Sequence, residues 1–320
     1  MKLKILGAVT ALAAMMLPAA AQQYPAQPVR IIVPFSAGSN TDGQARIIAD
    51  RLSELWKQQV IVENRPGIPG TASVAKAAPD GYTIMLTSSG HPVGNVINRA
   101  APYDPVKDFA GITQVSTVPA TLAVPPGLPA NNIKEFLALA RAKPGALNFA
   151  SAGTASTSYL AGEVFKQVAK IDIVHIPHKG APEAMTSLLR NDSQLYFVSA
   201  NASGELIEAK KIKAIGISSA KRFAQLPNIP TVVESGLPDY VYESWFGVMG
   251  PAGLPPAIRN KISEDIARAL RMPDVNKKFT NQGLVVVTQS PAAFDKMIAS
   301  EAQRYGKILR DAGVGEAKKK

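Results

Sequence analysis

The sequence predicts an α/β protein of two lobes, each a doubly wound, mostly parallel sheet flanked by helices, with a ligand cleft between them. Three observations point there. Continuous β-branched runs such as Val29 to Val33 are of the kind buried on both faces of a parallel sheet. Amphipathic segments with apolar residues three and four apart alternate with those runs. One strand, loop and helix device also occurs twice, over Val29 to Leu55 and again over Leu147 to Val168.

In chain order, Lys2 and Lys4 precede an apolar stretch from Ile5 to Leu17, then Pro18 and three alanines. This predicts a signal peptide over 1–21: the stretch is too short to span a bilayer, and Ala19 and Ala21 meet the small-residue demand of a cleavage site. No second segment is apolar for long enough to cross a membrane, so a soluble exported product is expected. The absence of cysteine excludes a lipid-modified anchor, disulfides and thiolate chemistry, so stability must come from cores that about 300 residues readily supply. The net charge of +11 favours acidic small molecules. Lys and Arg are dispersed, with no basic helix or aromatic-interleaved patch, which argues against nucleic acid. Lys318 to Lys320 read as a solvated tail.

The first unit begins with strand Val29 to Val33. A helix follows whose apolar face is Ala45, Ile48, Ala49, Leu52 and Leu55, with Thr41 in the N-cap position and Asp42 as the acid of the first turn. A helix N-terminus leaves unpaired N–H groups and carries the positive end of the helix dipole, so Ser36, Ser39, Asn40 and Thr41 are placed to cradle a carboxylate or phosphate. A capped β-to-α turn with no ligand is the other reading. Strand Gln59 to Val62, a turn over Glu63 to Gly67, a helix over Thr71 to Ala77 and strand Tyr82 to Thr87 come next. The last strand opens onto Ser88, Ser89, Gly90 and His91. Ligands of open α/β sheets sit beyond the carboxyl ends of strands, where both loops lie together.

The second unit has an apolar stretch Thr121 to Val124, a helix Ile133 to Ala142 and strand Leu147 to Ala150. Loop Ser151 to Thr157 is a near copy of the first cradle, followed by a helix Ser158 to Val168 with the face Leu160, Val164, Phe165 and Val168. Strand Ile173 to Ile176 leads to Pro177, His178, Lys179 and Gly180. Helix Glu183 to Leu189, ended at Asn191, and strands Gln194 to Ser199 and Ile212 to Ile217 complete the unit. Val241 to Gly250 reads as a strand returning to the first lobe, which helices Pro256 to Leu270 and Ala292 to Ala312 close. The chain is thus expected to cross twice, with 22–122 and 228–320 forming one domain and 123–227 the other.

No nucleophile elbow, Walker loop, dinucleotide glycine pattern or zinc spacing occurs, so neither catalysis nor a cofactor is expected. His175 and His178 lie three apart on an extended segment, where their rings point to opposite faces and make no metal pair. His91, His178 and Lys179 follow strands and read either as solvated turn residues or as a cationic lip for an anion. Tyr159, beside the second cradle, either donates to a bound carboxylate or caps the cleft edge. Trp245 and Phe246 read as core, with stacking on a ligand the alternative for Trp245. Dipole complementarity accounts for Asp42 and Glu163 without a ligand.

The strings PFSAGSNTDGQAR, VENRPGIPG, APDGYT, FASAGTASTSYLAGEVF, IPHKGAPEAM, LPNIPTVVESGLPDY and ESWFGVMGPAGLP, in this order, resemble the tripartite tricarboxylate transporter substrate-binding family, also called the Bug receptors. The resemblance runs over essentially the whole chain after residue 21. It implies a periplasmic receptor of the type II binding-protein fold that closes over a small carboxylate. The first cradle would contribute Phe35, Ser36, Ala37, Ser39, Asn40, Thr41 and Asp42; Ser88, Ser89 and His91 lie beside it. The second would contribute Ala152, Gly153, Thr154, Ser156, Thr157 and Tyr159, with His178, Lys179 and Asn201 nearby. The partners implied are the permease subunits of such a transporter, or a membrane sensor kinase, with the receptor itself a monomer. The chain departs from the family pattern at Tyr159, where histidine is usual, at His178, where tyrosine is usual, and at Asn191, where glycine is usual. An acidic residue sometimes present near Gln194 is also missing. Lacking a partner for an ammonium group, the chain is expected to take a non-amino mono- or dicarboxylate, including aromatic acids.

Overall fold

Three parallel strands open the first lobe: β1 (Val29–Val33), β2 (Val60–Asn64) and β3 (Thr83–Ser88), in the order β2-β1-β3. The chain is described by a computed structural model over residues 24–153 and 156–314. The expected signal peptide, Thr154 of the second cradle and the tail Lys318 to Lys320 lie outside the described residues. All of β1 but Arg30 is buried, as a strand covered on both faces requires. Helix α1 (Asn40–Trp56) covers it with Ala45, Ile48, Ala49 and Leu52, while Leu55 is half-buried. The N-cap is Ser39, whose hydroxyl accepts the Asp42 N–H, and not Thr41, which is already inside the helix. Helix α2 (Ile68–Ala75) and the short α3 (Gly94–Ile97) follow β2 and β3.

The lobes are joined by β4 (Phe109–Val124), a strand of 16 residues. Its first part pairs antiparallel with β9 (Glu243–Pro251) in the first lobe. Its last residues, Ala120 to Val124, pair with β7 (Leu195–Ser199) and β8 (Lys213–Ile217) in the second. The sequence pattern exposes only the Thr121 to Val124 end, because Gly111, Gln114, Ser116 and Pro119 interrupt the apolar run before it. The second lobe continues from β7 to β5 (Asn148–Ser151) and β6 (Val174–Pro177), both parallel to it. The sheets are mixed rather than mostly parallel. The chain leaves along β4 and returns along β9, so those two strands must run in opposite directions, and the parallel strands lie to either side of them.

Strand direction places the cleft. Two antiparallel steps, β3 to β9 to β4, make β4 run the same way as β1 and β3, and it continues into the second lobe. There β7, and with it β5 and β6, runs back against β4. The carboxyl ends of the parallel strands in the two lobes therefore face each other across the crossing.

The second core holds Phe136 of α4 (Ile133–Ala142), Phe149, and Leu160, Val164 and Phe165 of α5 (Thr157–Ala169). Ala184 and Leu188 of α6 (Ala181–Leu189) pack with Tyr196 and Val198 on the other face of the sheet, flanked by the short α7 (Gly204–Glu208). Asn191 adopts the left-handed conformation, with φ of 63°, that ends α6. The return crossing comes later than residue 228. Val232, Tyr240 and Tyr242 are buried in the second core, and Thr231 bridges to Ile217, so the chain re-enters the first lobe at Glu243. At the crossing, Ser218 ties three segments together. It exchanges backbone bonds with Ala120 and Tyr242 at 2.9 Å each, and its Oγ accepts the Ala120 N–H at 2.7 Å while donating to the Tyr242 carbonyl at 2.5 Å.

Helices α8 (Pro256–Arg271) and α9 (Pro273–Asn281), strand β10 (Val285–Val286) and helix α10 (Pro291–Asp311) end the described chain. α10 does not close the first lobe alone. Phe294 and Ile298 pack there, whereas Tyr305 and Leu309 enter the second core, so one helix braces both.

Candidate ligand-binding cleft

The first cradle joins β1 to α1 beyond the carboxyl end of the sheet. Gly38, at φ of 80°, turns the loop in a conformation that other residues resist. Asp42 then fixes it from beneath. Its buried carboxylate accepts the Gly38 N–H at 2.9 Å, the Asn64 side-chain amide at 3.0 Å and the Arg46 guanidinium at 3.0 and 3.1 Å. Burial alone would raise this carboxyl's pKa; the bonds from Arg46, Gly38 and Asn64 outweigh it and hold the group below the usual carboxylate range. With the Asp42 N–H taken by Ser39, the helix end still presents first-turn N–H groups at Asn40 and Thr41. Ser36, Ala37 and Asn40 are exposed around them.

The second cradle repeats the device at α5, where the Ser156 hydroxyl accepts the Tyr159 N–H at 3.2 Å. First-turn N–H groups of Thr157 and Ser158 are left at the helix end. Gly153 makes the turn at φ of 110°, and a Cβ there would sit 3.3 Å from the His178 carbonyl. The neighbouring amides are used internally: Ala152 N–H donates to Ser158 Oγ at 3.1 Å and Gly153 N–H to Ser151 Oγ at 3.1 Å. Ser151 Oγ also lies 2.7 Å from His175 Nε2. Burial, helped by Lys166 and His178, lowers the His175 pKa to about 4, so this imidazole is neutral at pH 7. Ser151 is fully buried, and the pair fastens the turn instead of presenting a nucleophile.

Between the carboxyl ends of β1, β2 and β3 lies a cavity of about 330 Å³. Pro34 and Phe35 follow β1, Gly67, Ile68 and Thr71 follow β2, and Thr87, Ser88, Gly90 and His91 end β3; Gly94, Ile97, Asn98 and Tyr103 complete the wall. His91 is 7% exposed, and its Nε2 lies 2.9 Å from the Pro105 carbonyl, which can only accept, so that nitrogen donates. Burial lowers its pKa to about 4, and the neutral ring packs edge-on against Phe109.

Residues 44–314 match the family described as "Tripartite tricarboxylate transporter family receptor". The chain belongs to that family. It is 34% identical over 317 residues to "Protein BugT" of Bordetella pertussis, covering 98% of this chain and 97% of that one. Among solved structures, Rpa4515 of R. palustris with adipate is 31% identical with a TM-score of 0.78, covering 91% of this chain and 99% of that one. MatC of Rhodopseudomonas palustris with bound malate is 28% identical with a TM-score of 0.75, covering 89% of this chain and all of that one (100%). These likenesses agree with the two-lobed binding-protein fold.

Within the receptor, the structure gathers most of the expected residues at two facing loops and separates a few. Phe35, Ser88 and His91 line the cavity, with Ser89 buried beside them, its Oγ 3.4 Å from the Tyr242 hydroxyl across the crossing. Asp42 faces into the loop and not the cleft, since Gly38, Arg46 and Asn64 engage both its oxygens. Tyr159 is 4% exposed and packed on His175 at 4.4 Å and Phe149 at 6.4 Å, so it belongs to the core and not to the cleft edge. Asn201 is engaged with protein: its amide donates to the Gln282 carbonyl at 2.6 Å and its oxygen accepts from Ser199 Oγ at 2.6 Å. Gln225 donates alongside to the Thr280 carbonyl at 2.9 Å, so these two side chains clasp the C-terminal end of α9. His178 is tied to the second cradle through its N–H, bonded to the Ser151 carbonyl at 3.0 Å, and also lines a depression beneath α6. Lys179 is exposed, with its N–H donated to the Glu183 carboxylate at 3.1 Å. Glu163 is buried against Lys166 at 3.4 Å. Trp245 is core, donating from Nε1 to Glu301 at 2.7 Å.

Sequence reasoning missed Ile68, Thr71, Ile97, Asn98 and Tyr103 in the cavity wall. The turn after β2 was the available signal for the first two, because it too ends a parallel strand. Among the described residues, no helix is long and apolar enough to cross a membrane, and no three His, Asp or Glu side chains are grouped to hold a metal ion.

Proposed function

We propose that this chain is a periplasmic solute-binding receptor that captures a small, non-amino carboxylate between its lobes and presents the closed form to the permease subunits of a tripartite tricarboxylate transporter. The carrying observation is the pair of serine-capped helix ends, at α1 and α5, on strand ends that face each other across the crossing. Each offers first-turn N–H groups and the positive end of a dipole, which suits an anion. The adipate and malate held by the two related receptors are of the same chemical class. The leader read over 1–21 supports export to the periplasm. A monomer suits the motion, since a lobe-spanning interface would oppose opening.

The test is a thermal-shift screen of the mature receptor, unfolded and refolded to strip carried-over ligand, against mono-, di- and tricarboxylates and amino acids. A ligand at about 100 times its Kd adds about 2.7 kcal/mol, which raises Tm visibly. A shift with a carboxylate supports the reading; no shift with any acid, or tight binding of glutamate or aspartate only, defeats it.

A further inference from the structure

On the carboxylate-receptor reading above, we infer that the first lobe's half of the cleft takes the uncharged, apolar body of the ligand and turns away a second carboxylate, so that the substrate class is a monocarboxylate carrying a ring or branched hydrocarbon. The cavity at the carboxyl ends of β1, β2 and β3 supplies the argument. Phe35, Ile68, Ile97 and Tyr103 give it apolar and aromatic walls, and Thr71 and Asn98 add neutral polar groups. Among the described residues, no Lys, Arg, Asp or Glu lines it. His91 is not a hidden cation, because it is neutral at pH 7 and its Nε2 is occupied by the Pro105 carbonyl.

Size and charge decide the class. A dry cavity of about 150 Å³ accepts benzene, so about 330 Å³ accommodates a six-membered ring with a substituent or two. An ionised carboxylate moved there would lose its hydration and meet hydroxyl and amide dipoles and the start of α2, where Pro69 removes one of the first-turn N–H groups that the serine-capped ends offer, but no side chain of opposite charge. The single carboxylate stays at the serine-capped helix ends, where amide N–H groups are offered. Ile68 is the natural place to change the preference: it lies at the start of α2, is half-buried, and tolerates a long side chain better than the buried wall does.

The experiment is calorimetric titration of the refolded mature receptor with cyclohexanecarboxylate, benzoate, succinate and adipate, repeated on Ile68→Arg, with circular dichroism and Tm confirming that the variant folds. In the wild type a ring monocarboxylate binds about ten-fold or more tighter than either dicarboxylate. Ile68→Arg reverses the order, weakening the ring acids and strengthening adipate. Tighter binding of adipate or succinate by the wild type overturns the inference while leaving the receptor reading intact. An unchanged preference in folded Ile68→Arg also overturns it. Binding of no acid at all sinks the receptor reading itself. Should Ile68→Arg fail to fold, Ile97→Ser serves instead, with a selective loss of ring acids expected and equal loss of both classes counting against the idea.

Discussion

Asp42→Ala separates a residue that builds the first cradle from one that touches the ligand. The carboxylate accepts from Gly38, Asn64 and Arg46 at 2.9–3.1 Å while buried under the loop. Hydrogen bonds to a charged group contribute about 1.5–3 kcal/mol each, but the losses do not add fully here. Arg46 has 52% of its side chain exposed and rehydrates, and Gly38 is exposed as well. The expected cost is therefore about 2–3 kcal/mol, with Asn64 accounting for much of it because its half-buried amide keeps only the Phe35 carbonyl, at 3.2 Å, as acceptor. Freeing the loop residues 36 to 38 adds an ordering cost to ligand binding of about 1 kcal/mol per residue, so affinity falls by about 100-fold. Asp42→Asn, which keeps one acceptor oxygen, should lie between. The sign with pH is fixed by the lowered carboxyl: its contribution is present above the unfolded pKa and lost as pH falls through the folded one, so wild type and variant converge below about pH 4. Urea unfolding gives the stability difference and calorimetry the affinity. Full stability with lost affinity would make Asp42 a ligand contact, and no change in either would refute its role in the loop.

Other outcomes follow from the same packing. Burial lowers His91 from 6.5 to about 4, so its contribution is present above 6.5 and drains as pH falls toward 4; burial raises Glu301 from 4.5 to about 7, so its contribution is present below 4.5 and is lost as pH rises through 7. His91→Gln and Glu301→Gln should therefore change the pH slope of stability in opposite directions between pH 4.5 and 6.5, each by about 1.4 kcal/mol per pH unit, read from urea midpoints at pH 5, 6 and 7. Gly153→Ala forces a Cβ into a backbone region at φ of 110° and toward the His178 carbonyl; a cost of about 1–3 kcal/mol and weakened ligand binding are expected, and wild-type calorimetry in that variant would show that the turn has no part in the cleft. Replacing Asn201 and Gln225 together by alanine removes the two bonds to the C-terminal end of α9. The measured result should be faster ligand release with little change in association, and an unchanged release rate would confine the clasp to stability.

The strand and helix periods made the two cradles legible because each cradle is local: a β-branched strand, small residues and an amphipathic helix within thirty residues. What failed depends on contacts that only the folded backbone selects, most of them made far along the chain. Thr41 and Ser39 are equally good caps by type, and only the Asp42 N–H, seen in three dimensions, selects Ser39. Tyr159 has the position of a ligand donor but is drawn into the core by Phe149 and His175, one on β5 and one on β6. The proline-flanked segment around Asn228 has the composition of a linker, yet Thr231 pairs with Ile217 and Val232 and Tyr240 are buried, so the second lobe keeps it. β4 escaped recognition along most of its length because polar residues and Pro119 break its pattern where it serves two sheets at once.

That double-sheet strand also explains how an anion could drive closure. An open receptor that holds a carboxylate at one helix end gains one dipole contact. On the reading proposed above, a closed one gains a second, because the strand ends that carry α1 and α5 face each other on either side of the crossing made by β4. Each such contact with an anion is worth about 1–2 kcal/mol when partly buried, which biases the closed state about 5- to 30-fold. Without ligand the same geometry sets two positive helix ends face to face, and closure has no electrostatic reward. The hinge must then be easy to bend, and its composition fits: Ser218, Ala120 and Tyr242 meet through backbone atoms and one hydroxyl, with no ion pair to break. α10 limits the motion, since Phe294 and Ile298 are held by one lobe and Tyr305 and Leu309 by the other. Rotation about the crossing strands is consequently favoured over wide separation of the lobes, and the ligand need outweigh only the small cost of flexing one helix and three backbone segments.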